Sequence, residues 1–122
     1  MGLTTHVLDG VRGAGAAGVR VDLARRDGDD LRPVRSAVTG ADGRAVLQDE
    51  IDPGAYELRF HTTAYYASDP AGPGAPFFDD VRVHFAVEDS GQHYHVPLVL
   101  SPCAYSTYRG GLPPAASPGP SA

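Results

Sequence analysis

Lysine is absent from this 122-residue chain, and cysteine occurs once, at Cys103. Without lysine, no side chain can form a Schiff base with a carbonyl substrate. A single cysteine excludes an internal disulfide framework and a Cys-rich zinc knuckle. Cys103 itself, set between Ser-Pro and Ala-Tyr, reads as a small packed or turn residue, with a nucleophilic role as the alternative. No run of 18 apolar residues occurs, so no transmembrane helix is expected. The first residues lack the basic flank and apolar stretch of a secretory signal, and a soluble, cytoplasmic protein is the expectation. Positive charge is scarce as well: the formal net charge is −5 and the pI about 5.3. Phosphate backbones and anionic bilayers are bound by surplus Lys and Arg, so neither nucleic acid nor membrane is expected as a partner.

What is present points to a β-protein. The hydrophobic fraction of 42% suits a globular chain, and the length suits one domain with its own core. Asp9-Gly10, Asp27-Gly28, Asp42-Gly43 and Pro53-Gly54 are turn signals. Between them run short stretches of period-two alternation. Val19, Val21 and Leu23 share one face against Arg20 and Asp22; Tyr56, Leu58 and Phe60 alternate with Glu57 and Arg59; Val81, Val83 and Phe85 alternate with Arg82 and His84. Such segments read as strands with one face on a core and one face wet. The pattern predicts strands near 4–8, 18–25, 31–39, 44–47, 54–61, 80–88, 92–100 and 103–109, hence a sandwich or barrel. One short helix is expected around Thr62 to Ala67, followed by a Gly- and Pro-rich loop from Ser68 to Pro76. The domain is placed at 1–111, and the Pro-, Ala- and Ser-rich residues 112–122 are expected to be a disordered tail.

The candidate chemistry is concentrated in imidazoles. His93 and His95 stand two apart in Gln92-His-Tyr-His-Val-Pro, so period two puts both on one strand face, away from Tyr94, Val96, Leu98 and Leu100. They read as solvated surface residues, as a general base, or as zinc ligands. His6, on the first strand, is structural on its own evidence or a third member of such a set. Arg44 ends the turn Asp42-Gly43-Arg44, where a guanidinium is either a solvated strand start or a two-pronged clamp for a planar, electron-rich substrate. Tyr108 and Arg109 precede Gly110-Gly111 and suit either interface packing or ligand contact.

Taken together, these residues resemble a known family. Leu3-Thr-Thr-His-Val-Leu-Asp, Thr39-Gly-Ala-Asp-Gly-Arg44 and Phe77-Phe-Asp-Asp-Val-Arg-Val-His-Phe look like the 5-hydroxyisourate hydrolases of the transthyretin-like family. So does His93-Tyr-His-Val-Pro-Leu-Val-Leu-Ser-Pro through Tyr105-Ser-Thr-Tyr-Arg-Gly110, and the blocks run in order from residue 3 to 110. The resemblance implies an all-β, transthyretin-like sandwich of two four-stranded sheets with one short helix. It also implies a homotetramer whose active sites lie in the channel where two dimers meet. The activity implied is hydrolytic ring opening of the small molecule 5-hydroxyisourate, in urate degradation and purine metabolism, with no cofactor and no metal. His6, Arg44 and His95 fall on its catalytic positions; His6, Arg44 and Tyr108 fall on substrate-binding ones. His93, Arg109, Gly110 and Gly111 are supporting candidates. The family usually ends Tyr-Arg-Gly-Ser, whereas here Gly111 replaces the Ser and eleven residues follow.

Two other readings stay open from the sequence. One is a non-catalytic small-molecule binding protein on the transthyretin fold. The other is a zinc-dependent hydrolase using His6, His93 and His95.

Overall fold

The computed structural model describes residues 2–69 and 76–111. Its elements follow in the order β1 (Leu3–Asp9), β2 (Ala14–Gly15), β3 (Arg20–Asp27), β4 (Asp30–Val38) and β5 (Arg44–Gln48). Then come β6 (Gly54–Phe60), α1 (Thr62–Ala67), β7 (Val81–Val87), β8 (Tyr94–Ser101) and β9 (Ala104–Thr107). All eight expected strands form, and the helix occupies the expected residues. The two-residue β2 is an addition too short to carry a periodic signal. The proposed tail and residues 70–75 of the expected loop lie outside the described residues.

The strands make two sheets. In the first, β1 pairs with β8 in parallel, and β8 pairs with β9 antiparallel. The other edge of β1 is shared, β5 pairing with Leu3 to His6 and β2 with Leu8 and Asp9. The sheet therefore holds five strands, one more than the expected four, with β2 and β5 sharing one edge. The second sheet has the order β4-β3-β6-β7, antiparallel throughout.

Alternation decides which face meets the core. Leu3 and Val7 of β1, Val21 and Leu23 of β3, Leu58 and Phe60 of β6, and Leu98 and Leu100 of β8 are all buried between the sheets. Each such side chain is worth about 1.5–3 kcal/mol on leaving water. The short α1 has no side-chain cap at its N-terminus and is far below the length at which a helix is stable alone. Packing holds it: Tyr66 is buried, and the Tyr65 hydroxyl donates to Asp9 Oδ2 at 2.7 Å. Among the described residues, no helix is long and apolar enough to cross a membrane.

Two details depart from simple alternation. Glu57, expected on a wet face, is only 5% exposed, because Arg82 Nη1 and His84 Nε2 both donate to its carboxylate at 3.0 Å. The last strand also stops early, at Thr107 rather than near 109. Thr107 pairs with Leu98, and the same register would set the next residue, Tyr108, against Pro97, which has no N–H to give. The ladder lapses across Tyr108 and Arg109 and resumes as a single bridge between His95 and Gly110, the Gly110 N–H donating to the His95 carbonyl at 2.8 Å.

Candidate active site

Cross-strand register gathers the candidate residues on the outer face of the first sheet. Thr4 stands opposite His95 on β8 and opposite Val46 on β5; His6 stands opposite Arg44. Period two then sets His93 on the same face as His95. The result is a groove of about 650 Å³ walled by Thr4, Arg44, Val46, His93, His95 and Gly111, among others. His6, Arg44, His93 and His95 are thus brought to one face, although they span ninety positions of sequence.

The hydrogen bonds differentiate the imidazoles. His6 Nε2 lies 2.8 Å from the carbonyl oxygen of Asp42. A carbonyl only accepts, so that nitrogen carries a proton and His6 is tied to the Asp42-Gly43-Arg44 turn. His95 Nδ1 instead lies 2.8 Å from Thr4 Oγ1, and His93 Nε2 lies 2.9 Å from the same oxygen. His95 is half-buried. Burial, then the positive charge of Arg44 and the neighbouring His6 and His93, hold its pKa below the ordinary histidine value, against an opposing hydrogen bond from the ring to the Thr4 backbone. The ring is therefore biased toward its neutral form, which keeps the lone pair that a general base needs.

Arg44 is exposed at the mouth of the groove. Its backbone N–H donates to Asp42 Oδ1 at 3.0 Å, which closes the turn, while its guanidinium is only loosely paired with Asp42, at 3.6 Å. Enough of its donor fork is left for an electron-rich ligand. Val46, 60% exposed, and Ala45 add an apolar wall suited to the face of a planar ring.

The chain end closes one side of the groove. A Cβ at Gly110 would come within 2.8 Å of His95 Cδ2, so only glycine lets the backbone lie against that ring. Tyr108 and Arg109 do not join the groove of their own chain. Tyr108, 57% exposed, lines a separate apolar recess with Val83, Phe85 and Val96. Arg109 lies 4.4 Å over the Tyr94 ring and donates to Gln92 at 2.8 Å, which reads as packing. Among the described residues, no three His, Cys, Asp or Glu side chains are grouped to hold a metal ion, so His6, His93 and His95 make no zinc cage. Thr4 is the residue that inspection of the sequence passed over; its spacing of two from His6 was the available signal.

Known proteins with similar sequences and structures agree with this picture. The model of the HIUase/Transthyretin family matches residues 3–110. The 5-hydroxyisourate hydrolase of Deinococcus radiodurans is 50% identical over 113 residues, covering 89% of this chain and 95% of that protein. The structure of Klebsiella pneumoniae 5-hydroxyisourate hydrolase superposes with a TM-score of 0.77 at 32% identity, covering 91% of this chain and all of that one. Sea bream transthyretin in complex with thyroxine superposes with a TM-score of 0.80 at 26% identity, over 89% of this chain and 94% of that one. The fold alone thus does not separate enzyme from carrier, and the residues in the groove must.

Proposed function

The chain belongs to the HIUase/Transthyretin family, and from that premise we propose that it hydrolyses 5-hydroxyisourate, opening its ring in urate breakdown. The observation that carries this reading is the alignment of a half-buried His95, held neutral, with the guanidinium of Arg44 across one groove. In the proposed reaction, His95 Nε2 takes a proton from water as the water oxygen bonds to the ring carbonyl carbon. Arg44 holds the substrate and the negative charge that develops on the carbonyl oxygen. The ring C–N bond then breaks and the proton returns from His95 to the leaving nitrogen, so no cofactor is consumed. His6, tied through Nε2 to the Asp42 carbonyl, is proposed to position Arg44's turn and contact substrate rather than to activate water.

The full assembly is proposed to be a homotetramer in the cytoplasm. Among the described residues, no strand pairs with the outer edges of β7 and β9, and the apolar recess beside Tyr108 is lined from both. Open edges of this kind invite pairing with another copy. On this reading, any contact of Tyr108 with substrate comes from a neighbouring subunit. Light scattering should give four chains per particle; a fully active monomer would refute the shared assembly.

The deciding experiment follows the decay of freshly generated 5-hydroxyisourate in a stopped-flow instrument. Wild type should accelerate it strongly, and His95→Ala should lose at least about 100-fold in turnover. Decay at the buffer rate with wild-type protein would leave the binding-protein reading standing instead.

A further inference from the structure

We propose that Thr4 is a positioning residue whose hydroxyl joins His95 to His93, fixing the His95 tautomer and passing on the proton that His95 collects. This rests on the hydrolase reading above and assigns a role within the same groove.

The geometry is specific. Thr4 Oγ1 lies 2.8 Å from His95 Nδ1 and 2.9 Å from His93 Nε2. A threonine hydroxyl has one hydrogen, so with two ring nitrogens in reach it donates to one and accepts from the other. One polarity suits a base at His95. There, His95 Nδ1–H donates to Thr4, Thr4 O–H donates to His93 Nε2, and the Nε2 lone pair of His95 is left for water. Register makes this possible, since parallel pairing of β1 with β8 sets Thr4 directly opposite His95. A β-branched side chain on a strand has few χ1 choices, so the oxygen is held between the rings.

Proton flow follows from the same chain. When His95 Nε2 takes a proton, the ring becomes a cation with Arg44 on β5, His6 on β1 and His93 just before β8 around it, and, among the described residues of the chain end, the backbone of Gly110 and Gly111. Transfer of Nδ1–H to the Thr4 oxygen, with the Thr4 hydrogen moving to His93 Nε2, returns His95 to neutrality. The positive charge then rests on His93, which is exposed, so that water solvates it. The reverse shift recharges His95 to protonate the leaving nitrogen. No atom is lost, and Thr4 ends each pass as a hydroxyl.

The test combines kinetics with nitrogen-15 NMR of histidine-labelled protein. Wild type should show His95 protonated on Nδ1 in its neutral form. Thr4→Val, which keeps shape but not hydroxyl, should release that tautomer, lower kcat about 10–100-fold with KM unchanged, and shift the acid limb of the kcat profile. Thr4→Ser should restore the tautomer and most of kcat, and His93→Gln should lower kcat while leaving the tautomer in place. An unaltered tautomer in Thr4→Val, a loss confined to KM, or Thr4→Ser as slow as Thr4→Val would overturn the bridge. The NMR reading needs no substrate. A bridged tautomer in a wild-type protein that leaves 5-hydroxyisourate untouched would refute the hydrolase reading and, with it, the catalytic use of the bridge.

Discussion

The two sheets carry the same residue types on their outer faces and use them in opposite ways. On the second sheet and at the end of its strand β6, both imidazoles are bound to carboxylates. His61 Nε2 donates to Asp22 at 2.7 Å with Asp80 at 3.7 Å from its other nitrogen, and His84 donates to Glu57 at 3.0 Å. Arg59 and Arg82 complete the set through Asp80 and Glu57. On the first sheet, the imidazoles find a hydroxyl or a backbone carbonyl instead, and Arg44 stands among them. Carboxylate-bound imidazoles are fixed as parts of a structural network. An imidazole held neutral beside a guanidinium keeps a lone pair for chemistry. The partner, more than the residue type, sets the role.

Exchanging one arginine on each face should separate the two roles. Arg44→Ala is expected to cut turnover about 100-fold, the scale of losing an oxyanion-stabilising donor, while the unfolding midpoint barely moves. Arg59→Ala should do the reverse, lowering stability by about 1 kcal/mol and leaving turnover intact. Denaturant melts and stopped-flow rates on both variants check this; a stability loss in Arg44→Ala matching that in Arg59→Ala would erase the contrast.

Asp22 gives the next largest effect. Burial alone would raise its carboxyl pKa, but hydrogen bonds from Ser36, His61 and Arg20 outweigh burial and bring it down to about 2. A depressed carboxyl stabilises the fold above its unfolded value, near 3.8, and that contribution disappears as pH falls through 2. It amounts to roughly 2 kcal/mol at neutral pH, at about 1.4 kcal/mol per pKa unit. Asp22→Asn should therefore be less stable than wild type at pH 7, and the two should converge near pH 2. Parallel stability curves across that window would deny Asp22 its linkage.

Much of this was legible in the order of residues. The alternation of Tyr94, Val96, Leu98 and Leu100 put His93 and His95 outward, and the helix at Thr62–Ala67 stood out between strands. What stayed hidden depends on pairing between distant segments. That β1 lies parallel to β8, and in the register that faces Thr4 with His95, follows from packing of the whole sheet rather than from either strand. Glu57 looked like any wet-face carboxylate until Arg82 and His84, two strand positions on β7, closed over it. Pro97 was visible, but its effect of ending β9 at Thr107 required knowing which residue faced it. Tyr108, grouped with the site on family resemblance, follows the end of β9 and lines a separate recess.

Val46→Glu tests whether the first face can be made to resemble the second. Val46 is exposed, opposite Thr4, and a carboxylate there sits near His95. A negative charge favours the imidazolium, so the His95 pKa should rise and its base form persist only at higher pH. The acid limb of the kcat/KM profile should move up by about one pH unit, with activity recovered in mild alkali. A uniform loss at every pH would point to steric blockage of the groove.

Gly111 carries the smallest expected effect, and it bears on the position where the family usually has serine. Its φ of +64° lies in the left-handed region, yet a Cβ built there is 3.6 Å from His95 Cβ, an ordinary contact. Space therefore permits Gly111→Ser, and the backbone resists it by about 1 kcal/mol. The strain is relieved by turning residue 111 toward right-handed φ, which pulls on the Gly110 N–H where it meets the His95 carbonyl. Exchange of the Gly110 amide should accelerate about fivefold, the factor for that free energy. Because Thr4 holds the His95 ring from the opposite side, turnover should fall by less than the exchange rate rises. An increase in kcat would mean instead that a hydroxyl at this position enters the chemistry, and that this chain operates with one group fewer than the groove can accommodate.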